Sequence, residues 1–268
     1  MPELLKVVLS AAGVLGIMGF VFGILLALAS KVFYVKEDER KGQIMECLPG
    51  ANCGGCGYAG CAAYTDAVIS GEAAVNLCNA AGQESIDKIA AILGVEGGQV
   101  SRTYARIRCC GSLELAHAKY QYQGIPDCTA ASRLIDGYME CKYGCLGLGS
   151  CAKVCTHNAI VIENNVAVVK KELCGGCGAC VDVCPKGIIE MVPEDALFTV
   201  GCSSHNKGAV TKKACLTGCL GCKICEKNCP HDAIHVVDNL AVIDYEKCDH
   251  CGLCAEKCPA KIIRRFDV

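Results

Sequence analysis

The sequence has no tryptophan, and it contains only 5 phenylalanines and 9 tyrosines among 268 residues. Its formal net charge is −2, which gives no sign of a nucleic-acid partner. The sequence also lacks a GxGxxG or P-loop pattern that opens a helix after a strand. Nicotinamide or ATP chemistry is therefore not expected on this chain.

Cysteine, by contrast, is abundant, with 26 residues. Such a share is typical of small secreted proteins held together by disulfides, but those chains are too short to build a core. This chain is long enough for two or more domains, so the spacing of the cysteines must decide between disulfides and metal.

One long apolar segment lies near the N-terminus, over residues 4–35, and its cleanest run is 7–30. About 20 residues cross a bilayer, so the segment predicts a transmembrane helix in contact with lipid. A cleaved signal peptide, favoured by Ala27-Leu28-Ala29, and a buried core helix are the alternatives. A signal peptide has a shorter apolar region behind a more basic start, whereas Lys6 alone precedes this one.

Basic residues follow the segment at Lys31, Lys36, Arg40 and Lys41. The positive-inside rule then predicts a single-pass protein of the cell (inner) membrane, with its C-terminal body in the cytoplasm. That compartment is reducing, which argues against disulfides.

The first cysteine motif has the form CxxCxxxxCx16C, and its members are Cys53, Cys56, Cys61 and Cys78. Glycines around the first three cysteines permit the tight backbone that a [4Fe-4S] cluster requires, although zinc is an alternative for this motif alone. Residues 62–70 and 85–93 are predicted helices, and 94–99 is a predicted linker.

Two complete CxxCxxCxxxCP runs near the C-terminus are typical of bacterial ferredoxins rather than of zinc sites. In such modules the fourth cysteine of each run binds the other cluster. The predicted ligand sets are Cys219, Cys222, Cys225 and Cys258 for one cluster and Cys229, Cys248, Cys251 and Cys254 for the second. A strand, a turn at Asp238-Asn239 and a second strand are predicted between the runs.

An earlier copy of this module is incomplete. One of its clusters is predicted on Cys155, Cys174, Cys177 and Cys180. The other has Cys145, Cys151 and Cys184, but Leu148 stands where the fourth thiol belongs. Cys141 is the nearest replacement and Cys128 is its rival.

Two segments that lead into the modules carry further cysteines. If Cys141 completes the degenerate site, the thiols left in these segments are Cys109, Cys128, Cys202 and Cys215. A sixth cluster could join the two segments, with Cys128 and Cys141 exchanged, or these thiols could be small buried side chains. Five clusters correspond to about 20 irons per chain and six to about 24.

The predicted fold class is α+β. The predicted domains are a transmembrane anchor (1–35), a small α-rich 4Fe-4S domain (36–98), a first ferredoxin-like module with its lead-in segment (99–200) and a second ferredoxin-like module (201–268).

This order of parts, together with the Cys53-Gly-Gly-Cys-Gly-Tyr-Ala-Gly-Cys61 motif and the Cys145-Leu-Gly-Leu-Gly-Ser-Cys151 run, resembles the B subunit of Rnf complexes, in its long clostridial form. The resemblance spans the whole chain. It implies that soluble reduced ferredoxin docks on the chain, and that electrons pass through its clusters to other subunits of an ion-translocating ferredoxin:NAD oxidoreductase. NAD reduction and transport of Na⁺ or H⁺ would occur elsewhere in the complex.

Candidate docking residues for an acidic ferredoxin are basic side chains of the second module, which could also form only a solvated rim. They are Lys207, Lys212, Lys213, Lys257, Lys261, Arg264 and Arg265. Two other functions stay open: a polyferredoxin adaptor for a hydrogenase or corrinoid enzyme, and a non-redox protein with zinc or disulfides.

Overall fold

The computed structural model describes residues 2–33 and 38–265. The chain divides into two compact units, one ending at Lys41 and one spanning Gly42–Val268. Residues 34–35 of the predicted anchor, Lys36 of the basic flank, and residues 266–268 lie outside the described residues.

The first unit is dominated by helix α1 (Pro2–Val32). Its segment Ala12–Val32 has a mean hydropathy of 2.4 and is long and apolar enough to cross a membrane. Large apolar side chains such as Phe20 and Leu26 are exposed along it. The apolar helix predicted from the sequence is therefore present, and its apolar surface is not used to build a core within this unit.

A small helical region opens the second unit. It contains α2 (Glu39–Cys47, which begins just before the unit boundary), α3 (Cys61–Ser70) and α4 (Gly82–Leu93). Ile44, Tyr64, Ile86 and Ile89 are almost fully buried in its core. The Tyr64 hydroxyl lies 2.9 Å from the carbonyl oxygen of Ala74 and 2.8 Å from that of Val75, which ties the loop after α3 to the helix. The helices predicted over 62–70 and 85–93 are confirmed.

The next part of the chain combines short strands and helices. In chain order they are β1 (Thr103–Ile107), α5 (Cys128–Ser132), α6 (Ser150–Lys153), β2 (Ile160–Glu163), β3 (Val166–Val169), a 3₁₀ turn (Lys171–Leu173), α7 (Ala179–Val183) and β4 (Ile189–Pro193). Strands β2 and β3 form an antiparallel hairpin, and β1 pairs antiparallel with β4.

The C-terminal part repeats this arrangement. It contains β5 (Phe198–Val200), α8 (Gly208–Ala214), α9 (Ile224–Lys227), β6 (Ile234–Val237), β7 (Leu240–Ile243), α10 (Leu253–Lys257) and β8 (Ile263–Arg265). Again the inner strands β6 and β7 form a hairpin, while β5 pairs with β8. The mixed helix and strand content predicted from the sequence is confirmed, whereas the domain boundaries stay predictions.

Both hairpin turns have the same chemistry. Asn164 and Asn165 have φ values of 45° and 68°, and Asp238 and Asn239 have values of 48° and 65°. Two successive residues with positive φ form the tight turn that matches the twist of a hairpin, and Asn and Asp tolerate this conformation well. The turn predicted at Asp238-Asn239 is therefore confirmed.

The outer strand pairs were not predicted from the sequence. Strand β1 precedes its partner β4 by a long stretch of chain, so no local turn signal connects them. Ala116 and Cys215 also form an isolated antiparallel bridge, which joins the lead-in segment of one module to that of the other. This bridge brings distant cysteines to one place.

Candidate metal-cluster sites

The N-terminal motif forms one group of thiols, here called the N-terminal site: Cys53, Cys56, Cys61 and Cys78. Cys61 begins α3, and its backbone N–H donates to the side-chain oxygen of Asn52 at 2.9 Å. Burial raises the pKa of Cys78, and the nearby thiols of Cys56 and Cys53 add to the shift. The fold therefore brings Cys53 and Cys56 close to Cys78, and the four-residue ligand set stays a prediction.

The first-module outer site comprises Cys155, Cys174, Cys177 and Cys180. Burial raises the pKa of Cys180 to about 11, and the other three thiols contribute. The backbone N–H of Ala159 donates to Sγ of Cys155 at 3.3 Å. Such N–H donors stabilise sulfur that carries negative charge.

This outer site lies against the N-terminal domain. A Cβ atom added to Gly55 would lie only 2.7 Å from Cα of Cys177, so the two cysteine-bearing loops are in backbone contact. The Cys53 thiol is also close enough to contribute to the raised pKa of Cys177, for which burial is the main cause. The N-terminal site and the first-module outer site are therefore neighbours.

The degenerate site gathers Cys145, Cys151 and Cys184 with Cys128, and is here called the first-module inner site. All four thiols line one cavity with Ile107. Burial raises the pKa of Cys151 to about 12, and the other three thiols add to the shift. The structure thus places Cys128, the rival candidate, in the cavity with these three residues, whereas Cys141 lines a second cavity that Cys145 also borders.

Cys128 is held there by a short hydrogen-bond network. Its backbone N–H donates to Oγ of Ser150 at 2.7 Å, and that hydroxyl donates to Asp127 at 2.8 Å. Asp127 also caps α5 by accepting from the N–H of Ala130 at 2.8 Å. Ser150 is buried and precedes Cys151, so the network fixes two of the four thiols relative to each other.

Cys109, Cys141, Cys202 and Cys215 line a further cavity, here called the central site, and Cys110 and Cys145 also border this cavity. A Cβ atom on Gly111 would lie 3.3 Å from Sγ of Cys215 and 3.8 Å from Sγ of Cys109. Burial raises the pKa of Cys109 to about 12 and that of Cys202 to about 11, and the thiol of Cys141 contributes to both shifts. The two lead-in segments therefore supply one group of four thiols.

Backbone contacts connect the central site to both modules in the same way. The N–H of Cys145 donates to Sγ of Cys109 at 3.4 Å, and the N–H of Cys219 donates to Sγ of Cys202 at 3.3 Å. Arg108 and Gly201, which precede Cys109 and Cys202, make equivalent hydrogen bonds in the two modules. The N–H of Arg108 donates to Ile188 O and the N–H of Gly201 donates to Ile262 O, both at 2.7 Å. The central site is thus equally close to the inner site of each module.

The second module has an inner and an outer site, as the sequence predicts. The inner site comprises Cys219, Cys222, Cys225 and Cys258, which line one cavity. The outer site comprises Cys229, Cys248, Cys251 and Cys254, and the thiols of Cys229 and Cys251 contribute to the raised pKa of Cys248, for which burial is the main cause. Among all the cysteines, Cys222 and Cys251 are exposed, while the others are buried or half-buried.

The donor set fits iron–sulfur clusters. Every cysteine is a free thiol, and among the described residues no three His, Cys, Asp or Glu side chains could hold a single metal ion. Zinc requires four ligands close together around one ion, whereas these thiols are spaced around a cavity. This arrangement fits an iron–sulfur cluster better than it fits zinc. Cys47 packs in the core of the N-terminal domain, whereas Cys110 lies against Gly201 and borders the cavity of the central site as a fifth thiol beside the predicted four.

The predicted docking residues lie on several surfaces. Lys212 and Lys213 are exposed in the last turn of α8, and Lys207 is exposed directly before that helix. Lys257 forms an ion pair with Glu256 at 3.0 Å. The other three are exposed in or near β8: Lys261, Arg264 and Arg265. Lys261 donates to Glu256 O at 2.9 Å, and Arg264 donates to Lys261 O at 3.3 Å.

Two family models match the chain. A model described as a putative Fe-S cluster matches residues 48–80, and one described as a 4Fe-4S dicluster domain matches residues 173–233 and 218–262. The match over 173–233 joins the last run of the first module to the first run of the second. The structure instead groups Cys184 with Cys145 and Cys151, so this match detects successive cysteine runs rather than one folded module.

Similarity to characterised proteins covers nearly the whole chain. The B subunit of the Na(+)-translocating ferredoxin:NAD(+) oxidoreductase complex of Acetobacterium woodii is 42% identical over 97% of this chain and 78% of its own length. The B subunit of the ion-translocating oxidoreductase complex of Methanosarcina acetivorans is 42% identical over 96% and 98%. The proton-translocating counterpart of Clostridium ljungdahlii is 39% identical over 94% and 90%.

Proposed function

We propose that this chain, which belongs to the family of B subunits of ion-translocating ferredoxin:NAD(+) oxidoreductase complexes, transfers electrons from reduced ferredoxin to other subunits of such a complex. Ferredoxin and NAD are named for the relatives. The single observation that carries the proposal for this chain is the gathering of its thiols around three separate cavities, each of which is lined by at least four cysteines.

We assign six [4Fe-4S] clusters to the six sites described above. A bound cluster of this kind supplies a one-electron redox change with little movement of its ligands. The assignment gives Cys128 to the first-module inner site and Cys141 to the central site, because each lines the corresponding cavity. Cys47 and Cys110 are left without a cluster.

We infer that the sites form one unbranched series, and the contacts between neighbouring sites support this order. The N-terminal site adjoins the first-module outer site through Gly55 and Cys177. The central site adjoins both inner sites through the N–H groups of Cys145 and Cys219. In the second module, burial raises the pKa of Cys254 and the thiol of Cys225 adds to the shift, which supports neighbouring inner and outer sites. The protein's part in the function is to hold these groups in series.

The apolar helix α1 would anchor the chain in the membrane as a single span, with the body in the cytoplasm. There it could receive electrons from a soluble carrier. The exposed Lys212 and Lys213 would attract an acidic ferredoxin at long range, because attraction between opposite charges raises the rate of encounter. The other subunits of the complex, rather than this chain, would reduce NAD and move Na⁺ or H⁺.

Iron content and ferredoxin oxidation test the proposal together. The full chain, purified without oxygen in detergent, should contain about 24 irons and should oxidise reduced ferredoxin with a change in its own visible absorbance. An iron content near 20 would remove the central site from the assignment. A colourless protein without iron, or a loaded protein that does not oxidise ferredoxin, would contradict the proposed function.

A further inference from the structure

The two modules have equivalent outer sites, but their surroundings differ. Cys177 of the first module and Cys251 of the second hold the same place in their cysteine runs. Cys177 is half-buried, and the loop of the N-terminal domain at Gly55 touches its backbone. Cys251 is exposed. A surface that is covered by an iron–sulfur domain in one copy is therefore open in the other.

From this difference we infer that the surface around Cys251 is the docking face for a small, soluble iron–sulfur protein that delivers electrons to the chain. This terminal face consists of His231, Asp249, Cys251 and Leu253. The inference rests on the proposed function. The occupant is identified by analogy within the molecule, because the domain seated on the equivalent Cys177 matches a family model for an Fe-S cluster.

The side chains of the terminal face suit a transient contact. Leu253 is 38% exposed, although it opens helix α10 beside two cysteines of the outer site. Asp249, in the loop that precedes Leu253, forms an ion pair with His231 at 2.8 Å. An apolar side chain bordered by a polar pair is typical of the centre and rim of a protein interface.

Cys222 is also exposed, so it is a rival point of entry. The repeat argues against it, because its equivalent in the first module is Leu148, which has no thiol. The series of sites also favours Cys251, which belongs to the site at the end opposite the N-terminal site. Transfer there moves one electron: the carrier is oxidised by one electron and the outer site of the chain is reduced by one, with no bond or proton exchanged.

Hydrogen–deuterium exchange of the loaded full chain in detergent tests the location without relying on electron transfer. Adding oxidised ferredoxin should slow amide exchange at least twofold over residues 246–253. Protection confined to residues 207–216, or to residues 220–224 around Cys222, would overturn the inference. No protection anywhere at saturating ferredoxin would overturn it as well.

A variant pair provides the second measurement. Leu253→Glu should weaken ferredoxin binding and slow ferredoxin oxidation about tenfold, because it puts a charge in the centre of the interface. Leu134→Glu is the matched control: Leu134 is 53% exposed, belongs to the lead-in segment of the first module, and should change neither quantity more than twofold. If Leu253→Glu loses iron, His231→Glu tests the same face from another loop.

These outcomes distinguish the proposed function from the proposed docking face. A wild-type chain that fails to oxidise ferredoxin contradicts the proposed function. A wild-type chain that does oxidise it, with both Leu253→Glu and His231→Glu equal to the control, contradicts only the terminal face.

Discussion

The backbone N–H of Cys219 donates to the sulfur of Cys202 at 3.3 Å, and this bond joins a lead-in segment to the start of a ferredoxin-like cysteine run. The equivalent bond between Cys145 and Cys109 has a length of 3.4 Å. One cysteine of the central site therefore lies directly beside each inner site. This relationship supports the proposal that the central site connects the modules.

Removing one central thiol should remove one cluster. We expect Cys109→Ala to lower the iron content by about four per chain, because a cubane needs its thiolate ligands. Cys47→Ala is the control, since Cys47 packs in the core of the N-terminal domain and lies outside the assigned groups. Iron analysis of both proteins, purified without oxygen, measures the difference. Equal iron in the two variants would contradict the central site.

Double variants distinguish Cys128 from Cys141. If Cys141 belongs to the central site, Cys109→Ala combined with Cys141→Ala should cost about four irons, as Cys109→Ala alone does. Cys109→Ala combined with Cys128→Ala should cost about eight, because two sites are then lost. If the variant with Cys141→Ala loses about eight irons and the variant with Cys128→Ala loses about four, Cys141 belongs to the degenerate site instead.

The network that holds Cys128 should control how firmly its cluster is bound. Ser150→Ala removes the acceptor for the Cys128 N–H and leaves this N–H group without a hydrogen-bond partner. We expect the loss to destabilise the fold by about 1 to 3 kcal/mol. We expect normal iron content after purification but faster iron loss to a chelator. Ser132→Ala removes only a local hydrogen bond within α5, to Thr129 O, and should leave the rate unchanged. Identical rates for the two variants would argue against a role for the network.

Substitution of Gly55 should separate the N-terminal site from the first-module outer site. Gly55→Ala would place a methyl group 2.7 Å from Cα of Cys177, so the N-terminal domain must move away. We expect weaker magnetic coupling between these two reduced clusters in EPR spectra, with iron content unchanged. Gly42→Ala, where the added atom meets nothing within 4 Å, serves as the control. Unchanged coupling in Gly55→Ala would contradict the proposed adjacency.

Charge reversal on α8 tests long-range attraction. Lys212→Glu with Lys213→Glu should slow ferredoxin oxidation at low ionic strength, and the difference should shrink as salt is added, because salt screens exposed charges. Stopped-flow rates between about 10 and 300 mM salt would show this. A rate that is unchanged and independent of salt would rule out steering by this helix.

The cysteine runs allowed much of the site to be predicted, because iron–sulfur ligands recur at short and regular spacing. Local signals also located α3, α4 and the hairpin of the second module. The fourth thiol of the degenerate site could not be settled in this way. Cys141 is closer in sequence to Cys145, whereas Cys128 reaches the site through α5 and the hydroxyl of Ser150. The pairing of β1 with β4 likewise depends on contacts between distant segments, which no local pattern encodes.

The central site has a consequence for how the molecule is made. Cys109 and Cys141 come from one lead-in segment, and Cys202 and Cys215 come from the other. The bridge between Ala116 and Cys215 is what brings the two pairs together. In our assignment each half of the chain supplies two of the four ligands, so the proposed cluster would be inserted only after the second half has been synthesised and has docked on the first. A cluster in the proposed central site would therefore mark a correctly assembled body. A truncated chain would lack this cluster.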